Sequence, residues 1–322
     1  MSSPGLTLRV LPDSDAVAQF RAQQFLDAVA ARPELVFLGN TGRTPRAMYR
    51  LIAAQAPDLS RVRLRLLDCW VLAPETGFDS LQHPASFTGY VQDAFLRLLP
   101  EAYRPRDVRM LPEALTTCRE LEQALAAQHG VWHRPPHPRT GQPGAEVVIS
   151  AAATGVLARV RDACAEYETL LAAAPPDVVS LGIGQRPYPH MAFNNGPFTR
   201  VEAPTHLTHT DEAVRLAESA AFGGVERVPG FALTVGPATI LGGGSVWVTA
   251  TGAGKAAAVA ELFLDPGAAD HELRGSMAYV LRHAAADLLL DQAAAAELLR
   301  DGPAELARRY HAAGIELRLP GA

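Results

Sequence analysis

The sequence predicts an α/β protein of three layers, a mostly parallel sheet with helices packed on both faces. Two observations carry that prediction. An apolar run, a polar glycine-containing turn and a helical pattern follow one another around Thr41, Gly182 and Gly252. Along the remaining chain, short apolar runs alternate with helical spacing, and no repeat, heptad pattern or long low-complexity tail interrupts them.

The elements read in order as follows. Residues 6–11 form a short strand, and residues 13–31 a helix with Val17, Phe20, Phe25 and Val29 at helical spacing. Residues 35–38 are a buried strand, and 39–44 a polar turn. Thr44 and Pro45 then open a helix, the hydroxyl accepting from an orphan N–H and the proline standing where its missing N–H costs nothing. That helix continues over 46–56 and stops near Pro57. Residues 62–67 alternate arginine with apolar side chains, so a strand is expected to end at Asp68 and leave its carboxylate on the rim of the sheet. A loop over 73–84 precedes an amphipathic helix over 87–99, and 117–128 is helical too.

Residues 129–144 form a proline-laden loop. Its prolines prevent His129, His133 and His137 from aligning on one helix, so a solvated loop is expected rather than a metal site. Residues 147–149 read as strand and 156–174 as helix, ended by Pro175 and Pro176. The apolar run 177–181 leads into Gly182, Ile183 and Gly184. Residues 211–222 are helical, and 231–235 and 246–250 are strands. The chain then passes through Gly252 to Lys255 and an alanine-rich helix over 256–263. From residue 270 on, helical stretches alternate before a short apolar end at 315–319.

Composition bounds the function. The 322 residues are 48% hydrophobic and 20% charged, enough for one large core or two modest ones. A net charge of −5 and a pI near 6.1 argue against a broad nucleic-acid surface and suit small anionic ligands held in a local basic pocket. Cys69, Cys118 and Cys164 are too few and too scattered for a disulfide framework or a zinc knuckle, so a reducing cytosol is the expected home. The first residues lack the basic start and apolar core of a signal peptide. Residues 231–254 carry no charge and exceed the roughly 20 residues of a membrane span. With Pro237 and the glycines 242–244 inside, they read as two buried strands joined by a glycine turn.

A strand feeding a helix through a tight turn aims several N–H groups and the positive end of the helix dipole at one spot, which suits an anion such as phosphate. The turn at Thr41 has neither G-x-x-x-x-G-K-[ST] nor G-x-G-x-x-G, which leaves an anion site or an ordinary strand-to-helix connection. Right-handed crossovers would bring the turns at Thr41, Gly182 and Gly252 to one edge of a parallel sheet, and so to one pocket. There Lys255 adds a point charge that suits phosphate, or solvates its helix end. Asp68 can abstract a proton next to a carbonyl, or cap a helix. His190 titrates near neutrality, as a structural residue or as a proton carrier to a ring oxygen. Asn194 and Asn195 can bind hydroxyls but cannot act as acid or base.

These motifs, in this order, resemble the glucosamine-6-phosphate deaminase/isomerase family, whose Rossmann-like sugar-phosphate fold is shared with the 6-phosphogluconolactonases. The family's T-G-G-T-P loop is similar to Thr41, Gly42, Arg43, Thr44 and Pro45. Its strand-end Asp, the aromatic that follows and its H-P-x-S-[YF] loop resemble Asp68, Trp70 and His83, Pro84, Ser86 and Phe87. G-x-G-x-D-G-H-I-A-F-N-E-P is echoed between Gly182 and Pro197, with H-M-A-F-N running from His190 to Asn194. A-L-T-V-G at 232–236 and G-x-x-K-A at 252–256 complete the series, which covers roughly residues 35–263 apart from an insertion at about 112–161.

The resemblance implies a single domain over 1–322 with a small lid or insertion, a small phosphorylated sugar as ligand, and neither metal nor cofactor. Thr41, Gly42, Arg43, Thr44, Gly182, Gly184 and Lys255 would hold the phosphate. Asp68 takes the place of the general base at C1 and C2, and His190 that of the histidine that helps open the sugar ring. Tyr188, Asn194 and Asn195 are further candidate substrate contacts. The family includes monomers and larger assemblies, so a homo-oligomer is compatible with it.

The departures fall on the chemistry. Tyr188 stands where the family has an Asp two residues before its histidine, and Asn195 where it has a Glu after F-N. Ala220 aligns with the arginine that grips phosphate, while Arg43 replaces a loop glycine. The expected function is therefore a sugar-phosphate isomerase or deaminase-like enzyme with an altered site. The alternatives are an inactive sugar-phosphate sensor or partner protein and, third, a lactonase, whose motif needs an Asp-Gly-His that this chain lacks. About thirty residues precede the first glycine turn, too few for a DNA-reading helix-turn-helix.

Overall fold

A computed structural model describes residues 5–72, 83, 85–184 and 186–319. Pro84, Gln185 and most of the loop expected over 73–84 lie outside the described residues. The strands, in chain order, are β1 (Gly5–Leu11), β2 (Val36–Gly39), β3 (Arg63–Leu66), β4 (Asp68–Trp70), β5 (Asp107–Arg109), β6 (Trp132–His133) and β7 (Glu146–Ile149). They continue as β8 (Val178–Gly182), β9 (His206–His209), β10 (Phe231–Thr234), β11 (Ser245–Ala250), β12 (Ala286–Asp291) and β13 (Glu316–Arg318). The helices are α1 (Ser14–Ala31), α2 (Arg43–Ala54), α3 (Phe87–Ala94), α4 (Cys118–Ala127), α5 (Gly155–Ala173) and α6 (Glu212–Phe222). After these come α7 (Pro237–Leu241), α8 (Ala256–Phe263), α9 (Gln292–Ala295) and α10 (Pro303–Ala312).

Eight strands build one sheet in the order β13-β1-β12-β11-β8-β2-β3-β5, and every neighbouring pair runs parallel. A parallel sheet is covered on both faces, so its strands are apolar at successive positions and send alternate side chains to opposite cores. Phe37, Val178 and Trp247 join Phe25, Tyr49 and Phe95 in the core beneath α1 and α2. Their strand neighbours Leu38, Val179 and Val248 enter the opposite core with Leu157 and Val160 of α5 and Val259 of α8. The expected three-layer arrangement is present.

A second sheet, β4-β10-β9-β7-β6, is antiparallel throughout and has no counterpart in the sequence reading. It changes the place of Asp68. This residue does not close a strand of the parallel sheet; it opens β4 of the second one. Leu67 is the joint: its N–H donates to the Gly39 carbonyl of β2 (3.1 Å), and its own carbonyl accepts from Val235 N–H, just past β10 (2.7 Å). The arginine alternation stops at Leu66 because the next residue turns to another sheet.

Other expectations shift similarly. Residues 231–254 do contain two buried strands, but β10 and β11 belong to different sheets and α7 lies between them. Residues 286–291 were read within a helical region, yet they form β12, central between β1 and β11. Leu288, Leu289 and Leu290 are all buried there, and a strand covered on both faces lacks the alternation that would reveal it. Within 129–144, Trp132 and His133 pair with β7, and His137 is buried, its Nδ1 accepting from the backbone N–H groups of Arg139 and Thr140. Among the described residues, no group of three His, Cys, Asp or Glu side chains is arranged to hold a metal ion, and no helix is long and apolar enough to cross a membrane.

Candidate functional site

β11, β8 and β2 are neighbours in the parallel sheet, so the turns leaving their carboxyl ends lie side by side. The turn after β2 is shaped by two glycines. A Cβ on Gly39 would stand 2.6 Å from the Tyr49 hydroxyl, and Gly42 has φ +95°, a left-handed value that disfavours other residues. Tyr49 O–H donates to the Asn40 carbonyl (2.9 Å) and Tyr90 O–H to the Gly42 carbonyl (2.6 Å), holding the turn from both sides. Helix α2 begins two residues earlier than expected, at Arg43, with Gly42 as its N-cap and no side-chain cap. Thr44 therefore caps nothing, because it already lies inside the first turn, whose N–H groups are left without a side-chain acceptor.

The turn after β11 brings up Lys255. Gly252, at φ +86°, donates its N–H to both oxygens of Asp291 at the end of β12 (3.0 and 2.8 Å), and the short turn Ala253–Lys255 leads into α8. Lys255 Nζ crosses to the turn after β8, donating to the carbonyls of Ile183 (2.6 Å) and Gly184 (3.5 Å). Burial lowers its proton affinity first, the charge of nearby Arg43 lowers it further, and Glu218 of α6 opposes both.

One cavity of about 210 Å³ unites these parts. Thr41, Gly42, Arg43, Thr44, Gly182, Gly184 and Lys255 line it together with Asp68 and His190. Tyr188, Asn194 and Asn195 do not. Asn194 spends its amide N–H groups on the carbonyls of Met191 (3.0 Å) and Val235 (2.9 Å), and Asn195 donates to the His209 carbonyl (2.9 Å), so both knit the loop to its surroundings. Tyr188 packs over Gly196, where a Cβ would fall 2.1 Å from its ring.

Asp68 is buried, and burial raises its carboxyl from the usual 3.8 to about 7, tempered by the backbone N–H of Phe193. A carboxyl balanced near neutrality can both take and return a proton at carbon. His190 is buried as well, and burial lowers its proton affinity. Its Nδ1 lies 2.9 Å from the Tyr188 carbonyl, which fixes the hydrogen on Nδ1 and leaves Nε2 as a bare acceptor. The imidazole lies against Gly184, where a Cβ would stand 2.5 Å from the ring atoms, so only glycine fits. Ala192, in the same wall, is held at φ +47° although it is not glycine. Strain of that kind, of order 1–2 kcal/mol, gathers where the surroundings dictate a site.

No family model matches the chain. It is 28% identical over 295 residues to a glucosamine-6-phosphate deaminase of Streptomyces avermitilis, covering 90% of this chain and 91% of that protein. A glucosamine-6-phosphate deaminase of Exiguobacterium sp. is 28% identical over 234 residues, 72% of this chain and 70% of its own. These similarities support the resemblance to the glucosamine-6-phosphate deaminase/isomerase family. The fold of that family is shared with solved relatives. A monomeric glucosamine-6-phosphate deaminase superposes with a TM-score of 0.66 at 23% identity, covering 91% of this chain and 99% of that one. A 6-phosphogluconolactonase from Trypanosoma brucei does so with a TM-score of 0.59 at 16% identity, covering 92% and 100%.

Two polar lining residues escaped the sequence reading. Glu218 shares a helical face with Val214 and Ala217, a spacing of three and four that would have brought it to the cavity once α6 was placed. Asn40, the first polar residue after β2, lies on the cavity wall directly before Thr41. Its position at the strand's carboxyl end was the available signal.

Proposed function

We propose that this protein is a sugar-phosphate isomerase or deaminase-type enzyme acting on a small phosphorylated sugar. The phosphate rests on the turns at Thr41 and Gly182, with Arg43 and Lys255 supplying charge. His190 Nε2 takes the proton of the anomeric hydroxyl and returns it to the ring oxygen as the C1–O5 bond breaks, which gives the open-chain aldehyde. Asp68 then takes the proton from C2 as the aldehyde oxygen O1 takes one from solvent, giving the enediol or enolamine. The same carboxyl returns its proton to C1 as the O–H or N–H at C2 gives one to solvent, which yields the ketose or a ketimine that water hydrolyses to ketose and ammonia. The single observation that carries this reading is a buried carboxyl balanced near pH 7 in the same cavity as two cations on converging turns. The chain is taken as one domain, with residues 112–161 as an insertion.

A second reading, binding without turnover, is favoured by the surroundings of His190. Its Nδ1 meets a backbone carbonyl, and Tyr188 and Asn195 bring no carboxylate to it. One experiment separates the two: hexose and hexosamine phosphates are incubated with the protein in heavy water, and hydrogen exchange at C2 is followed by NMR while binding is measured by calorimetry. Exchange supports the enzyme; binding without exchange for any sugar phosphate overturns it. Ammonia release from glucosamine 6-phosphate, set beside acid release from the phosphogluconolactone, distinguishes a deaminase from a lactonase.

A further inference from the structure

Beyond the wall formed by Arg43, Thr44 and Lys255 lies a second cavity, of about 500 Å³, more than twice the volume of the one holding Asp68. It opens between the N-terminal ends of α1 and α2, above the carboxyl ends of β8 and β11. Arg43, Thr44, Lys255 and Asn40 line both cavities. An anion bound among them therefore has room on two sides.

The floor of this second cavity is built for a polar group. Ser180 O–H donates to Asn40 Oδ1 (2.9 Å) and fixes the orientation of the amide. Asn40 is only 9% exposed, yet its Nδ2 has no hydrogen-bond partner among the described residues and sits 3.6 Å from where a Cβ on Gly182 would be. Both N–H groups of that nitrogen are thus left for a ligand. Thr249 Oγ1 accepts from the buried Arg21 (2.9 Å), which leaves its own hydrogen to donate, and Thr251 adds a further hydroxyl beside it. Met48 and Val17 supply an apolar wall.

The charge at the shared wall selects the form of the anion. Arg43 and Lys255 are cationic, but the carboxyls of Glu218 and Asp68 line the Asp68 cavity with them and Asp15 lines the second cavity, so carboxyls offset much of the cationic charge at the wall. A phosphate monoester near neutral pH carries nearly two negative charges, whereas a diester carries one. Uncompensated charge in a partly buried site is costly, so the wall suits the diester.

We infer that the preferred ligand is a phosphodiester of a hexose or hexosamine, with its sugar in the Asp68 cavity and its second, hydroxyl-bearing alcohol beside Asn40 and Thr251. This rests on the sugar-phosphate reading and narrows it to a substrate class. The test is calorimetric binding of glucosamine 6-phosphate and of its methyl and glycerol 6-phosphodiesters to the full chain. The glycerol diester is expected to bind at least about tenfold more tightly than the monoester, the worth of one or two hydrogen bonds, with the methyl diester between them. Ala47 is exposed on α2 at the edge of the second cavity, and Ala47→Trp should remove the advantage of the glycerol group. Glu218→Gln should strengthen monoester binding and narrow the gap. A monoester bound as tightly as the glycerol diester overturns the inference and leaves the sugar-phosphate reading standing. Failure of all three to bind overturns both.

Discussion

Replacing Asp68 by Asn tests the stability and the chemistry of the site together. The carboxyl is 7% exposed, and burial lifts it from 3.8 to about 7. Its folded value thus lies above its unfolded one, the reverse of a salt-bridged aspartate. Between about pH 4 and pH 7 the unfolded chain gives up this proton while the native protein keeps it, so native stability falls as pH rises through that window and is level above it. A shift of about three units corresponds to a penalty of up to about 4 kcal/mol at pH 8. Asn cannot ionise, and its amide oxygen can still accept from Phe193 N–H. Asp68→Asn should therefore unfold in urea like the wild type near pH 4, and exceed it by up to about 4 kcal/mol at pH 8. In the same variant, C2 exchange should fall by about 10²- to 10⁴-fold. In the wild type, exchange should climb about tenfold per unit of pH below 7 and then level off. A variant with no extra stability at pH 8 would show that Asp68 ionises freely, and the case for a base tuned by burial would collapse.

Three further outcomes are expected. Lys255→Met removes the cation and its bond to the Ile183 carbonyl, and should weaken sugar-phosphate binding in calorimetry by about 10- to 100-fold; unchanged affinity would take Lys255 out of the anion site. Gly184→Ala drives a Cβ to 2.5 Å from the His190 ring and should slow exchange on closed-ring sugars more than on an acyclic analogue, a difference that would vanish if His190 had no part in ring opening. Arg21→Met empties a buried guanidinium position bonded to Thr249 and the carbonyls of Val248 and Asp287 and paired with Asp287 (2.9 Å), and should cost about 3–5 kcal/mol in denaturant unfolding.

The parallel sheet was legible wherever a short apolar run met a glycine turn, because turn and strand signals reinforce each other around Thr41, Gly182 and Gly252. β12 offered no such pairing. Its three leucines run into Asp291 and an alanine-rich stretch that favours helix, and only burial between two neighbouring strands makes it extended. The second sheet escaped for a different reason: its strands are four residues long or shorter, and their partners lie up to 166 residues away in the chain, as for Asp68 and Thr234. Of the site, the three glycine turns and Lys255 could be brought together from topology alone. That Asn194 and Asn195 face the loop instead of the cavity depends on how the 190–197 segment folds back on Val235 and His209, which no spacing rule encodes.

The joint at Leu67 divides the labour of this protein between two frameworks. In the proposed mechanism the turns that hold the anion spring from the parallel strands, whereas Asp68, the proposed base, is the first residue of the neighbouring sheet. On that proposal affinity and turnover come from separate halves of the architecture, and a lineage can reshape one without surrendering the other. Partial unfolding that loosens β4 from β10 would, on the same proposal, silence the reaction first, while the sugar phosphate still finds its berth.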